Sequence, residues 1–365
     1  MQFVTSDVAA RCLLSSWATF LKERGARVAI VCDVQDQGDA LRAVSDELYH
    51  VPFGRGAGAL ESMALALDVQ YLVRRWNPGI VHSHCEVTRL LAHFAAARAS
   101  VPLILHTFHS DETAVPHRVL SLIGGRGAHH QIATSRSLKK RLGLSSRATV
   151  IPHAVNLADY DQAGDGTRLR SRLQIPEDRR LLGSVGRLVP DSGCLELLES
   201  FAAIRQRQPG AHLLWAGEGP LEERFRDRAR ELGVEDSVSM VAEVPVPELL
   251  RALDLFVRPG NPPGDGHVLV EALALGKPVV ATLMEGYPEV VIDQASCLLV
   301  PPGQPELLAE KAIRLLEDPQ YAQKLGSEGR RLVAETLSEE QVNMRLYGLY
   351  RNLWAHRLRR LSARG

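Results

Sequence analysis

Asp254-Leu-Phe-Val-Arg-Pro259, Gly260-Asn-Pro-Pro-Gly-Asp-Gly266, His267-Val-Leu-Val-Glu271-Ala-Leu-Ala-Leu-Gly276 and Lys277-Pro-Val-Val-Ala281 follow one another without a break. The pattern predicts a strand, a glycine-rich turn, a short helix and a second strand. The helix is apolar on every side except at Glu271, and a helix that is apolar all round is a buried one. A carboxylate inside it is costly unless something bonds it. The turn ahead of it can aim free N–H groups and the positive end of a helix dipole at an anion. Two readings stand at this point. Glu271 is tied to nearby backbone in a tight βα turn of an α/β core, or it belongs to a ligand site.

The same rhythm extends in both directions. Leu181–Val185, Ala211–Trp215, 237–241 and Cys297–Val300 have the composition of buried strands, with helical spacing over 192–208, 220–232 and 246–253. Helices run from about 304 to the end, with Pro319 separating two of them. Upstream, Gln2–Ser6, Arg27–Cys32, Gly79–Ser83, Val101–Thr107, Gln131–Thr134 and Ala148–Ile151 are predicted strands. Leu13, Leu14, Trp17, Ala18 and Leu21 fall on one helix face, and 58–76 and 86–99 behave alike. Near-continuous apolar strands alternating with helices predict mainly parallel sheets covered on both sides. The polar stretch 159–178, with Gly164, Gly166 and Pro176, breaks the alternation. The expectation is an α/β chain of two Rossmann-like doubly wound domains. The first spans 1–160, a linker 161–178, and the second 179–335. A helix over 336–365 packs back on the first domain. Ligands of such sheets sit beyond the carboxyl ends of the strands, so the expected site is a cleft between the two.

Composition narrows the function. The 365 residues are 45% apolar and 24% charged, a globular balance for two domains. Lys+Arg and Asp+Glu are equal at 43 each, so net charge gives no hint of nucleic acid. Cys12, Cys32, Cys85, Cys194 and Cys297 are scattered and odd in number, as expected of reduced thiols rather than a disulfide framework or zinc site. No signal-peptide pattern precedes the first strand, and no run of about 18 apolar residues exists. A cytoplasmic protein is the expectation. The C-terminal arginines Arg345, Arg351, Arg357, Arg359, Arg360 and Arg364, with Trp354 among them, leave two readings open. One is a helix packed across domains, and the other a peripheral contact with the inner membrane face.

Several groups stand where chemistry would be placed. Gly186-Arg187-Leu188 ends a strand, and Arg187 suits either a phosphate or a surface ion pair. Asp191 or Ser192 is expected to cap the following helix. Gly217-Glu218-Gly219-Pro220 is a βα turn whatever the function. His82, His84, His106 and His109 collect after two strands and are expected to donate hydrogen bonds to hydroxyls or anions. No carboxylate or cysteine stands at ligand spacing from them, so no metal is expected. His129-His130 is expected to be structural.

Together these pieces resemble the retaining glycosyltransferases of the two-domain GT-B type, the group called family 4. The resemblance rests on Gly186-Arg-Leu-Val-Pro190, Ala216-Gly-Glu-Gly-Pro220, Asp254–Pro259 and Gly264–Val280. It also rests on Val81-His-Ser-His84, Thr107-Phe-His109 and Val150–Asn156. It implies that the second half binds a sugar nucleotide and the first half a glycan, lipid-linked or small-molecule acceptor. It further implies that Glu271 holds the ribose hydroxyls, Arg187 neutralises the diphosphate and His109 touches the donor sugar. Main-chain groups at Val241 to Glu243 would meet the base. The N–H groups of Gly264, Asp265, Gly266, His267, Val268 and Leu269 would face the phosphate and sugar. No metal or cofactor is implied, since cations and helix ends stabilise the leaving diphosphate.

The chain departs from the family pattern where the donor is held. Ala9-Ala10 replaces a glycine pair, Ser192 a lysine and Pro263 a glutamate. Proline supplies neither a carboxylate nor an N–H. Removing one anion-stabilising donor costs roughly 3–4 kcal/mol in a barrier. A non-catalytic binding homologue, or a transferase with an atypical donor grip using Arg187, Arg258 or Lys277, is the alternative expectation.

Overall fold

A computed structural model describes residues 1–53, 59–109, 128–162, 166–260, 266–284 and 287–362. The chain divides into two compact units, one of Met1–His153 with Glu339–Gly365, the other of Ala154–Ser338.

Among the described residues the first unit is built on a parallel sheet of seven strands. These are β1 (Gln2–Ser6), β2 (Ala29–Asp33), β3 (Glu47–His50), β4 (Ile80–Ser83), β5 (Leu103–Phe108), β6 (His130–Ala133) and β7 (Thr149–Val150). Their order is β3-β2-β1-β4-β5-β6-β7. Successive side chains of a strand point to opposite faces. Phe3, Ala29, Val31, Val81 and Ile104 therefore enter one core, shared with Val69 and Val73 of α3 (Ala59–Trp76) and Ala92 of α4 (Glu86–Arg98). Val4, Ile30, Cys32, Leu103 and Leu105 enter the other, against α1 (Asp7–Glu23) and the C-terminal helix. Both faces are covered, so the strands are apolar at nearly every position. The sequence pattern misses β3 and the helix before it, α2 (Gly38–Val44). β3 is an edge strand with its end residues Glu47 and His50 exposed, and its sequence carries no buried run.

Among the described residues the second unit has a six-stranded parallel sheet in the order β10-β9-β8-β11-β12-β13. Its strands are β8 (Leu181–Val185), β9 (His212–Ala216), β10 (Val238–Val241), β11 (Leu255–Arg258), β12 (Val279–Thr282) and β13 (Leu298–Val300). Neighbours along one strand again part company: Leu182, Leu213 and Val257 pack with Phe201 and Phe225, whereas Leu181, Leu214 and Phe256 pack with Leu269 and Leu273. The polar stretch and the two residues ahead of it carry, among the described residues, two short helices, α5 (Leu157–Gln162) and α6 (Thr167–Arg172). Leu169 is fully buried there, and Arg170 donates to Asp254 Oδ2 at 2.7 Å and to the Ala252 carbonyl at 2.8 Å. These side chains fix the amino end of β11. Val155 N–H donates to the Leu337 carbonyl at 2.8 Å, so the chain enters and leaves this unit side by side.

The C-terminal helix, α7 (Glu339–Ser362), belongs to the first unit. Tyr350 packs edge-on to Trp17 at 5.2 Å, and Tyr347 edge-on to Phe20 at 5.9 Å. A Cβ on Gly79 would stand 2.8 Å from the Trp354 ring, so only glycine admits that indole. The aromatic residues of the basic tail are thus turned into the protein. Among the described residues no helix is long and apolar enough to cross a membrane.

Candidate functional site

In the second unit the loops at the carboxyl ends of the strands are drawn together by glycines. A Cβ on Gly193 would lie 2.3 Å from the Gly260 nitrogen, and one on Gly260 would lie 2.4 Å from the Gly193 nitrogen. Both have left-handed φ angles, 69° and 66°. Glycine tolerates both demands. This contact brings the start of helix α8 (Cys194–Arg207) against the turn after β11. Gly217 meets Gly186, and Gly219 meets Leu188, in the same way. Main-chain bonds reinforce the second pair, with Leu188 N–H donating to the Glu218 carbonyl at 3.0 Å.

Glu271 sits one turn into the helix over His267–Ala274, which we label α9, and its side chain is 12% exposed. The Tyr160 hydroxyl donates to its Oε1 at 2.7 Å. His267 Nε2 stands 3.4 Å from the same oxygen. Burial and the adjacent carboxylate hold the Tyr160 phenol protonated far above its usual range. The partner of Glu271 is therefore a side chain 111 residues away, not nearby backbone. Tyr160 lies four positions past Asn156, the end of the Val150–Asn156 motif, and that proximity is the signal a reading of the sequence had for it.

Gly266 caps α9 with φ 74°, and a Cβ there would strike the Tyr287 ring at 2.7 Å. The N–H groups of a first helical turn have no partner within the helix. Leu269 is an exception to the sequence expectation. Its N–H already donates to the Gly266 carbonyl at 2.9 Å, and its side chain is fully buried. The other described N–H groups of this first turn are those of Gly266, His267 and Val268. Pro263, Gly264 and Asp265 lie outside the described residues.

Arg187, just past β8, is exposed and makes no side-chain hydrogen bond or ion pair among the described residues. Arg258 ends β11 on the neighbouring strand, close enough to the Tyr287 phenol for its charge to oppose the rise that burial causes in the phenol pKa. One Arg258 nitrogen lies 3.8 Å from where a Cβ on Gly186 would stand. Two cations thus flank the same loop. Lys277 does not join them. It precedes β12, and its ammonium donates to the Arg251 and Leu253 carbonyls at 2.9 and 2.6 Å. Burial lowers its pKa to about 8. Its place at the amino end of the sheet rules out the diphosphate role considered for it. Ser192 is buried, and its hydroxyl accepts from the Cys194 N–H at 3.3 Å. The cap of α8 is Gly193 rather than Asp191 or Ser192, because a short 3-10 turn over Pro190–Ser192 delays the helix. At the edge of the sheet the Val241 carbonyl accepts from Gly217 N–H at 2.8 Å, while Glu243 is exposed.

In the first unit β1 runs straight into α1, so Ala9 and Ala10 lie in the first helical turn and not in a loop. Ala10 is fully buried, and the Ala9 N–H donates to Ser6 Oγ at 3.2 Å. The buried Asp7 carboxylate accepts from the N–H groups of Gln37, Gln35 and Val8 at 2.7, 2.8 and 2.8 Å. The Gln37 bond, then the Gln35 bond, hold its pKa below the usual carboxylate value. The protein's own anion occupies this helix N-terminus.

Strand alternation splits the histidines. His82, His84 and His109 fall on the face toward α1 and α7. His106 falls on the other, where Ser83 Oγ lies 2.8 Å from His106 Nδ1 and 3.0 Å from His93 Nε2. On the first face His84 Nδ1 stands 3.2 Å from His109 Nε2, and His109 Nδ1 stands 3.5 Å from His153 Nε2. Burial, seconded by neighbouring histidines, holds His82, His84 and His109 well below the usual imidazole range, so all three are neutral at pH 7. His129 and His130 make structural bonds, to Ile104 N–H at 2.9 Å and Thr149 Oγ1 at 2.8 Å. Among the described residues no cluster of His, Cys, Asp or Glu is arranged to hold a metal ion.

The family model for glycosyl transferases group 1 matches residues 165–332, and that for glycosyltransferase family 4 matches residues 14–159. D-inositol 3-phosphate glycosyltransferase of Segniliparus rotundus is 30% identical over 250 residues, 62% of this chain and 55% of that protein. The chain spans about half the length of that relative. The capsular polysaccharide biosynthesis glycosyltransferase CapM of Staphylococcus aureus is 26% identical over 93% of both chains. A crystal structure of Anabaena HepE in complex with UDP superposes with a TM-score of 0.78 at 20% identity, covering 96% of this chain and 99% of that one. That likeness is one of fold, and the fold is GT-B. The chain belongs to the family 4, group 1 glycosyl transferases.

Proposed function

We propose that the protein transfers a sugar from a nucleotide-activated donor to a glycan, lipid-linked or small-molecule acceptor, with retention. The observation that carries the reading is Glu271. It is a nearly buried carboxylate fixed by Tyr160, at a helix start that offers N–H groups and lies on the same pole of the sheet as Arg187 and Arg258. In this reading Glu271 accepts from the two ribose hydroxyls, while the N–H groups of Gly266 to Val268 and the two guanidinium groups meet the diphosphate. Glu243 and its neighbours border the base, and His109 serves the donor sugar. Ser192 supplies no charge, so Arg187 and Arg258 carry the anion. The UDP bound by HepE and the sugar transfer named for CapM support the assignment.

The chemistry asks for charge and positioning rather than a protein nucleophile. The bond from the anomeric carbon to the phosphate oxygen breaks, and the acceptor oxygen bonds that carbon from the same face. The acceptor proton passes to the departing phosphate. No metal or cofactor enters the proposal.

Calorimetric titration with UDP, GDP and ADP, followed by a transfer assay with the matching sugar nucleotides, tests it. At least one nucleotide is expected to bind and to raise the unfolding temperature by mass action. Glu271→Ala is expected to abolish the effect. Absence of binding by every nucleoside diphosphate at millimolar concentration would sink the reading.

A further inference from the structure

Tyr350 lies on the C-terminal helix, far along the chain from the histidine row, yet it is bonded to that row. Gln2 Nε2 donates to its hydroxyl at 3.3 Å, and the hydroxyl stands 2.6 Å from His82 Nδ1. His82 Nε2 is 2.7 Å from Thr107 Oγ1. Gln2 Oε1 is 3.0 Å from His84 Nε2, and His84 passes contact to His109. Tyr350, Gln2, His82 and His84 are all buried.

Proton counting gives this row a direction. The amide nitrogen of Gln2 is a donor only, and a phenol has one proton. Tyr350 accepts from Gln2, and in the arrangement that uses its one proton it gives that proton to His82 Nδ1. His82 keeps its own proton on Nε2, toward Thr107. The Gln2 carbonyl accepts only, so His84 carries its proton on Nε2 and presents a bare Nδ1. His109 must answer with a proton on Nε2. Its Nδ1 is left as an acceptor, held loosely by His153 at 3.5 Å. The partner of a histidine nitrogen decides the tautomer, and a neutral ring has no second proton with which to escape the choice.

We infer that Tyr350 is a positioning residue: through Gln2 and His84 it fixes His109 as the Nε2–H tautomer, so that Nδ1 accepts a hydrogen bond from a ligand hydroxyl. The assignment to a ligand rests on the transferase reading above, whereas the tautomer does not. It also reverses the sequence expectation that this histidine is a donor.

Two-bond proton–nitrogen correlation spectra of the full chain labelled at histidine nitrogens test it at pH 7.5 without nucleotide. Signals are assigned by the loss of one resonance set in His82→Gln, His84→Gln and His109→Gln. His82, His84 and His109 are each expected to show a protonated Nε2 and a bare Nδ1. Tyr350→Phe removes the acceptor for Gln2 and the donor to His82, so all three rings should shift toward mixed tautomers. Gln2→Met leaves the Tyr350–His82 pair intact, so only His84 and His109 should change. Trp354→Leu loosens the same helix outside the row and should alter none of them. A wild-type His109 protonated on Nδ1 overturns the inference whatever the variants do. So does a His109 signal unchanged in both folded Tyr350→Phe and Gln2→Met proteins. Because no nucleotide is present, these outcomes are independent of whether the protein transfers sugar.

Discussion

Tyr160 and Glu271 are 111 residues apart and joined by a 2.7 Å hydrogen bond in which the phenol donates to the carboxylate. Tyr160 is 7% exposed, so the bond is shielded from water at one end. A hydrogen bond to a charged group of this kind contributes roughly 1.5–3 kcal/mol. Tyr160→Phe keeps the ring and its packing but leaves Oε1 with His267 as its neighbour. Urea unfolding should show a loss of about 1–2 kcal/mol. Nucleotide affinity should fall about fivefold, as expected when a carboxylate loses its orienting partner worth about 1 kcal/mol. Unchanged affinity would mean that the ribose needs no help from Tyr160.

How far this pair was legible shows where sequence reasoning stops. The buried helix and its anomalous Glu271 follow from composition, because an all-apolar helix has nowhere to go but the interior. The partner does not, since Tyr160 lies in a polar stretch whose periodicity is too short to announce a helix. The parallel sheets were equally legible, because strands covered on both faces must be apolar throughout. The edge strand Glu47–His50 was not, being half solvated. His82, His84, His106 and His109 could be gathered by position, but sorting them required the pleat. Side chains alternate, so His106 faces away from the other three. Lys277 was misjudged because a residue's distance in sequence from a turn does not say which end of a parallel strand it occupies.

Arg187 offers a clean separation of stability from binding. Its guanidinium is exposed and bonds nothing among the described residues, so Arg187→Ala should change unfolding free energy by less than about 0.5 kcal/mol. A charged contact to phosphate is worth more than that. The same variant should weaken UDP binding at least about tenfold, equivalent to 1.4 kcal/mol. Calorimetry at two salt concentrations checks both the loss and its electrostatic origin, since the wild-type affinity should fall more steeply with salt.

The neutral histidines set an acid limit on the first unit. Burial places the folded-state pKa values of His82, His84 and His109 well below the usual 6.5, and the groups facing them include His93, His106 and His153. Below pH 6.5 the unfolded chain binds protons that the folded chain refuses, so stability rises with pH through this window. The contribution is fully present above 6.5 and is lost as pH falls, by up to about 1.4 kcal/mol per pH unit for each ring. Guanidinium midpoints measured from pH 8 to pH 5 should therefore hold and then drop. His109→Gln should make the drop shallower. Equal slopes would show that His109 titrates alike in both states.

The contact between Gly193 and Gly260 predicts a large effect from the smallest of substitutions. Both residues sit in the left-handed region, where a Cβ costs roughly 1–2 kcal/mol by itself. At Gly193 that Cβ would also fall 2.3 Å from the Gly260 nitrogen, a main-chain atom that cannot swing aside. Gly233 supplies the control. Its φ is 65°, and nothing lies within 4 Å of the place a Cβ would take. Gly233→Ala should therefore show the conformational cost, about 1 kcal/mol, and no more. Gly193→Ala should lose at least about 3 kcal/mol, because the clash adds to the same backbone term. If the variant escapes the clash by parting the two loops, the start of helix α8 moves away from the turn after β11. Nucleotide affinity should then fall with stability, although no group proposed to touch the nucleotide has been altered. Measuring both variants by urea unfolding and by UDP titration distinguishes the outcomes. Equal losses in the two alanine variants would show that the close approach contributes nothing to holding the site.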